Sequence, residues 1–198
     1  MQFDQNIWDN IELIKVLKSG GIAVMPTDTI YGMVGSALIS KTVERIYEIR
    51  KRNLSKPCII LIGDIKDLEK FSIILNDEQS KEIEKHWSSE VSQDFQLRPV
   101  SIVFDCDNKN IEYLHRGTNS LALRLPRNEN LRNLLNKVGP LIAPSANLEK
   151  FPESEDIIDA RKYFGDKVDF YLDGGKITSK ASKVIQLHKD GSVSILRE

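Results

Sequence analysis

The chain contains the stretch Met25-Pro26-Thr27-Asp28-Thr29-Ile30-Tyr31-Gly32. It begins at the last residue of a short apolar run, residues 22–25, which has the character of a buried strand. A run of small residues, 32–37, leads the chain away from it. Polar groups at the end of a strand are where α/β proteins often place ligand-binding side chains. The same Thr-Asp-Thr sequence also suits a plain turn, in which the side-chain oxygens satisfy neighbouring backbone groups. The octapeptide alone leaves both interpretations open.

The composition is that of one folded domain. The 198 residues lie at the upper edge of the roughly 100–200 residues of a domain, and we predict a single domain over residues 1–198. Hydrophobic residues make up 40% and charged residues 29%, which is enough to bury a core. We expect no membrane helix, because no apolar run approaches about 20 residues, and no export signal, because the N-terminus carries acids and no basic, apolar pattern. No further domain is expected. The two cysteines, Cys58 and Cys106, lack metal-ligand spacing, so we expect a reducing, cytoplasmic location.

The apolar periodicity predicts helices and strands in alternation. Helices are expected at residues 7–17 (capped by Asn6 and ended by Gly20), 40–50 (capped by Ser40), 65–71, 77–87, 131–138 and 154–164 (opened by Ser154). Strands are expected at residues 22–25, 58–62, 100–104, 121–125, 141–143, 170–172, 184–187 and 193–196. The polar segments 88–98 and 105–120 are predicted to be connections. This alternation is typical of an α/β fold in which helices cover a sheet.

Positive charge is concentrated locally although the net charge is −1. Four cations fall within seven residues: Arg50, Lys51, Arg52 and Lys56. Such a cluster suits phosphate groups, but it is also typical of a solvated face. Arg124 alternates with Leu123 and Leu125 in a predicted strand, so it faces either solvent or a concave site where its planar fork can hold a carboxylate. Neither glycine-rich phosphate motif is present, so side-chain cations and hydroxyls would have to hold a nucleotide.

Hydroxyl and amide side chains lie beside two other predicted strands. Ser145 and Asn147 follow residues 141–143, where a simple turn is an equally good interpretation, and Ser182 precedes residues 184–187. The three histidines show neither metal nor triad spacing. The residues alone therefore predict a positively lined, hydroxyl-rich site that would suit an anionic, phosphorylated ligand.

Five stretches resemble motifs of the YrdC/TsaC family, the threonylcarbamoyl-AMP synthases. The octapeptide is similar to the family's P-T-[ED]-T-x-Y-G-L. The other four follow in the family's order: Arg50-Lys51-Arg52 with Lys56-Pro57; Leu121-Ala122-Leu123-Arg124-Leu125-Pro126; Ala143-Pro144-Ser145-Ala146-Asn147; and Ala181-Ser182-Lys183-Val184-Ile185 after Asp173-Gly174-Gly175. The resemblance spans residues 7–197, and five motifs in order make it specific.

The resemblance implies a single-domain twisted sheet flanked by helices, with a deep, positively lined cavity. It also implies a nucleotidyltransferase that joins L-threonine, bicarbonate and ATP into threonylcarbamoyl-AMP and releases pyrophosphate. The product would serve threonylcarbamoylation of adenosine 37 in tRNA through a tRNA-modifying transferase complex. Direct binding of tRNA or double-stranded RNA stays open. Mg²⁺ is expected to accompany ATP, and no protein ligand for it is assigned.

Site residues follow from the resemblance position by position. The ATP-binding residues it implies are Arg50, Arg52, Lys56, Ser120, Ser145, Asn147 and Arg197. The threonine-binding residues it implies are Thr29, Arg124 and Ser182, with Arg124 pairing with the carboxylate. Thr27, Ser101 and Ala143 are further candidates. No catalytic acid or base is assigned, because positioning and cation stabilisation of the triphosphate are expected to supply the catalysis.

This chain also departs from the family's motifs. The family's W-P-G-P-[LV]-T stretch is reduced to Arg98-Pro99-Val100-Ser101, and Arg50 replaces a lysine. Glu149 and Lys150 replace small residues that usually follow S-A-N. These changes indicate a diverged bacterial member. An alternative function is a non-catalytic RNA-binding or ribosome-maturation module, although a net charge of −1 does not favour affinity for RNA.

Overall fold

The computed structural model describes residues 6–88 and 98–198. Within them lie the strands β1 (Ala23–Pro26), β2 (Tyr31–Ser36), β3 (Ile60–Leu61), β4 (Val100–Asp105), β5 (Ser120–Arg124), β6 (Leu141–Ile142), β7 (Phe170–Tyr171), β8 (Lys183–Leu187) and β9 (Val193–Arg197). They form one mixed sheet in the order β7-β1-β2-β6-β3-β5-β4-β8-β9. The pairs β1–β7, β3–β5 and β4–β8 are parallel, and the other neighbours are antiparallel.

The described helices are α1 (Ile11–Lys18), α2 (Ser40–Arg50), α3 (Asp77–Trp87), α4 (Glu112–His115), α5 (Glu129–Val138) and α6 (Ile157–Phe164), with 3₁₀ turns at Ile65–Phe71, Lys109–Ile111 and Gly165–Lys167. No helix among the described residues is long and apolar enough to cross a membrane. The α/β prediction is therefore confirmed, with helices covering a large twisted sheet. Most of the predicted connection 88–98 lies outside the described residues.

Helices cover both faces of the sheet because successive strand residues point to opposite sides. In β1, Ala23 and Met25 pack with α1 and α5 in one apolar cluster, whereas Val24 belongs to the larger cluster on the other face. That second cluster contains the predicted α2 stripe of Val43, Ile46 and Tyr47. These three helices thus bury apolar side chains in the clusters on the two faces of the sheet.

Two predicted helix starts are wrong because another residue supplies the cap, and the predicted start of α2 is right although its predicted cap is wrong. Helix α1 begins after Asn10, whose side chain accepts from Leu13 N, rather than after Asn6. Ser40 is the first residue of α2 but makes no capping bond. Asp156 caps α6, while Ser154 is buried and donates to the carbonyl of Ala146.

Strand β2 was not predicted, because its sequence of glycine, serine and few β-branched residues has low strand propensity. Tertiary packing explains the small residues. A Cβ on Gly35 would lie 2.5 Å from Cγ2 of Thr42, so α2 packs against the backbone of β2 at this point. The strand turns the opening octapeptide into a hairpin, with Met25 opposite Gly32 and Pro26 opposite Tyr31.

Candidate active site

The hairpin turn between β1 and β2 forms the first wall of a cavity. Thr27 closes the turn, because its backbone N–H and its hydroxyl both donate to the carbonyl of Ile30, at 3.1 and 2.8 Å. Its hydroxyl also lies 3.1 Å from that of Thr29, and both threonines are buried. Both interpretations of the octapeptide therefore apply: Thr27 stabilises the turn, and both hydroxyls line the cavity.

Arg124 extends from the end of β5 toward this turn. Its Nη2 donates to Oδ1 of Asp28 at 2.8 Å, and the side chains are only 5% and 4% exposed. Nη2 also lies 3.4 Å from Oγ1 of Thr27. The guanidinium lines the cavity rather than facing solvent, so the solvent-facing interpretation of Arg124 is wrong.

Arg50 supports the second wall, which is the turn after β6. Its Nε donates to the carbonyl of Asn147 at 3.0 Å, and its Nη2 donates to Oδ1 of Asn147 at 2.9 Å and to Oγ of Ser145 at 3.2 Å. Burial lowers the pKa of Arg50 to about 10. Because these bonds engage the guanidinium with the turn and it does not line the cavity, we interpret Arg50 as a positioning residue for Ser145.

The basic loop after α2 is held in a fixed shape. Arg52 lines the cavity, and its Nε and Nη2 each donate at 3.0 Å to the carbonyls of Lys56 and Pro57. Lys56 does not line the cavity, because its ammonium is paired with Oε1 of Glu149 at 2.9 Å. The loop thus directs Arg52 into the cavity, whereas Lys56 points to Glu149.

The C-terminal strands form the remaining wall. Arg197 donates from Nε and Nη2 to the carbonyl of Ser182, at 3.1 and 2.9 Å. The hydroxyls of Ser182 and Ser101 are 2.9 Å apart, and both side chains are fully buried. Burial lowers the pKa of Arg197, and Arg124 and Arg98 lower it further while Glu153 raises it. Two of the cavity's arginines therefore lie within electrostatic range of each other.

These walls enclose a cavity of about 260 Å³. It contains most of the predicted site residues: Thr27, Thr29, Arg52, Arg124, Ala143, Ser145, Ser182 and Arg197. The predicted residues outside its lining are Arg50, Lys56, Ser101, Ser120 and Asn147. Of these, Ser120 lies at the start of β5, where its hydroxyl donates to that of Thr118 at 3.2 Å. The expected positively lined cavity is confirmed, with three arginines and one carboxylate among its described lining residues.

Several residues of this region were not assigned from the sequence, and three of them carry charge or share a strand face with Arg124. Asp28 stood inside the quoted octapeptide, but nothing in the sequence showed that it would pair with Arg124. Ala122 lines the cavity because it lies two residues before Arg124 in β5, so both side chains point to the same face of the sheet. This spacing could have been read from the sequence. Glu153 lies on an irregular segment and had no sequence signal.

The described lining of the cavity does not supply a magnesium site built from protein ligands alone. The described residues contain no group of three or more His, Cys, Asp or Glu side chains that could hold a metal ion. Glu153 is the one carboxylate among the described residues that line the cavity. Mg²⁺ usually keeps waters and binds substrate phosphates together with one or two carboxylates.

Fold and site together define an α/β protein with a cationic, hydroxyl-lined cavity beside a mixed sheet. The Sua5/YciO/YrdC family model, described as telomere recombination, matches residues 15–198, and the chain belongs to this family.

Known relatives agree with this assignment. A Methanocaldococcus jannaschii protein, provisionally named threonylcarbamoyl-AMP synthase, is 31% identical over 186 residues, covering 92% of this chain and 82% of that protein. The threonylcarbamoyl-AMP synthase of Pyrococcus abyssi is 25% identical over 178 residues, covering 86% of this chain and 50% of that protein. The crystal structure of P. abyssi Sua5 complexed with L-threonine matches with a TM-score of 0.80 and 24% identity. It covers 96% of this chain and 53% of that one, so the chain spans about half the length of the P. abyssi protein.

Proposed function

We propose that this protein is a threonylcarbamoyl-AMP synthase, a nucleotidyltransferase whose substrates are L-threonine, bicarbonate and ATP. The observation that carries the proposal is the buried guanidinium of Arg124, which faces a cavity lined by the hydroxyls of Thr29 and Ser182. A guanidinium binds a carboxylate through parallel N–H bonds, and hydroxyls orient an amino-acid side chain. Relatives named threonylcarbamoyl-AMP synthase support the same activity.

The volume of the cavity indicates which substrate it can enclose. Its volume of about 260 Å³ is below the roughly 300–1,000 Å³ of pockets that enclose drug-sized ligands. An amino acid can be enclosed near Arg124, whereas ATP would extend outward. Arg52 and Arg197 are the remaining arginines of the lining and would meet its phosphates.

The reaction needs positioning more than acid–base groups. The deprotonated threonine amine adds to bicarbonate and gives an N-carboxylate and water. An oxygen of that carboxylate then attacks the α-phosphorus of ATP, the bond to the bridging oxygen breaks, and pyrophosphate leaves with the electron pair. Arg52 and Arg197 would stabilise the charge that develops on the phosphates, and the walls would hold the two reactants together. We propose that Mg²⁺ enters with ATP and is held mainly by its phosphates.

The wider role follows from the product. We propose that threonylcarbamoyl-AMP passes to a transferase that modifies tRNA, and that residues 1–198 act as one domain. A cytoplasmic location is consistent with two free, buried thiols, Cys58 and Cys106. A non-catalytic RNA-binding module is not favoured, because the named relatives are synthases.

The test is formation of product. Purified protein with ATP, Mg²⁺, bicarbonate and L-threonine should release pyrophosphate and yield threonylcarbamoyl-AMP detectable by mass spectrometry. Omitting threonine or bicarbonate should abolish both signals. Pyrophosphate release that is equal with and without threonine would contradict the proposal.

A further inference from the structure

Asp28 neutralises part of the charge that Arg124 brings to the cavity. The two side chains form a buried ion pair, Nη2 to Oδ1 at 2.8 Å, and Asp28 does not itself line the cavity. It therefore acts on a ligand through Arg124. The inference below rests on the proposed function, because it takes Arg124 as the group that receives the carboxylate of the amino acid.

The pairing fixes which edge of the guanidinium a ligand can use. Both hydrogen bonds of Arg124 to described side chains leave from Nη2, toward Asp28 and Thr27. Nε of Arg124 and Oδ2 of Asp28 are buried and have no partner in the described part of the chain. A ligand therefore meets Nη1 and not the buried Nε edge, and a carboxylate can form a second, parallel bond to Nη2 by replacing the long contact to Thr27. Asp28 holds that orientation.

Electrostatics gives the pairing a second consequence. Arg124 and Arg197 lie within range of each other, and Arg98 adds to the positive charge around Arg197. A group of arginines attracts a polyphosphate more strongly than an amino acid, which carries one carboxylate and one ammonium. Glu153 faces Arg197 but is exposed, so solvent screens it. The carboxylate of Asp28 is buried, and its field is screened much less.

We propose that Asp28 is a positioning and selectivity residue that reserves the Arg124 end of the cavity for a monoanionic carboxylate and keeps polyphosphate out of it. The amino acid then occupies the inner end while the phosphates lie near Arg52. Without Asp28, a phosphate group would compete with threonine for Arg124.

Calorimetric titration at fixed ionic strength tests this proposal, with pyrophosphate and L-threonine as probes. Asp28→Asn removes the charge and keeps the shape, whereas Asp28→Glu keeps the charge. Glu12→Gln, on the exposed face of α1, controls for the change in net charge. We expect Asp28→Asn to bind pyrophosphate at least tenfold tighter, because a single charge at a distance of ~12 Å and an effective dielectric constant of ~20 already accounts for about a factor of ten, and a shorter distance gives more. Pyrophosphate should then compete with threonine, and Asp28→Glu and Glu12→Gln should bind it like the wild type.

If Asp28 had a purely structural role, Asp28→Asn would bind both pyrophosphate and L-threonine more weakly. Tighter binding of pyrophosphate therefore distinguishes a role in selectivity from a role in folding. Pyrophosphate affinity in Asp28→Asn that is equal to or weaker than in the wild type overturns the proposal. The wild-type protein gives a second measurement, in which pyrophosphate should leave the affinity for threonine unchanged. Competition between pyrophosphate and threonine in the wild type would also overturn the proposal. A wild type that binds no threonine contradicts the proposed function instead, and the comparison of Asp28→Asn with Asp28→Glu still decides the role of Asp28.

Discussion

The ammonium nitrogen of Lys56 lies 2.9 Å from Oε1 of Glu149, so a lysine expected to hold phosphates is paired with an acid of the same chain. Oε2 of Glu149 also accepts from the backbone N–H of Asn53. Both hydrogen bonds lower the pKa of Glu149, the one from Lys56 more strongly. The family resemblance implies a small residue at the position of Glu149.

Replacing Glu149 with serine should strengthen ATP binding. The substitution frees the Lys56 ammonium, which is 58% exposed and carried on a flexible side chain, to reach the phosphates. Titration with a non-hydrolysable ATP analogue should show an affinity increase of several-fold.

The matched control is the same substitution in a Lys56→Met background, where the gain should disappear. An equal gain with and without Lys56 would show that Glu149 acts through its own charge and not through the lysine.

Replacing Arg124 with lysine should weaken threonine binding about tenfold or more, because an ammonium keeps the charge but cannot form two parallel bonds to a carboxylate. Binding of the ATP analogue should change much less. Thermal-shift and calorimetric titrations with each ligand measure both effects, and Arg132→Lys on α5 is the control. Threonine affinity that is the same in the wild type and Arg124→Lys would refute the carboxylate role.

Replacing Arg50 with methionine should lower the free energy of unfolding by about 1–3 kcal/mol, because it leaves the buried carbonyl oxygen of Asn147 without its donor and leaves Oδ1 of Asn147 with the Ser145 hydroxyl alone. Arg50→Lys should recover only part of the loss. Urea denaturation measures the change, and Lys51→Met at the exposed neighbouring position is the control. If Arg50→Met and Lys51→Met lower the free energy of unfolding equally, the positioning role of Arg50 is contradicted.

Stability should depend on pH through Asp169. Hydrogen bonds from Arg45, with a smaller contribution from the N–H of Ile22, hold its pKa below the usual value. Because the folded-state pKa is the lower one, the stabilisation is fully present above the unfolded pKa of about 3.9 and is lost as pH falls through the folded value.

Asp169→Asn should therefore destabilise the protein at pH 7, and its difference from the wild type should shrink below about pH 4. Urea unfolding at pH 7, 5 and 3 measures the difference, with the exposed Glu48→Gln on α2 as the control. A difference that does not change with pH would mean that the lost contact is not ionic.

Local patterns predicted most of the elements, because hydrophobic periodicity reports burial directly. The α2 stripe of Val43, Ile46 and Tyr47 and the helix at Asp77–Trp87 are confirmed. Strand β2 was missed because its small residues are selected by the close approach of α2 and not by strand propensity. Helix starts failed where several polar residues competed for the cap, as at Asn6 and Asn10.

The sequence by itself determined the family, the fold class and eight of the residues that line the cavity, because five short motifs carry that information locally. Only the tertiary structure decided how those residues are partnered. It buried Arg50 behind Asn147, paired Lys56 with Glu149, and paired Arg124 with Asp28, contacts that span 93 to 97 positions along the chain. Such partners depend on how strands and turns meet in space, and no local pattern encodes them.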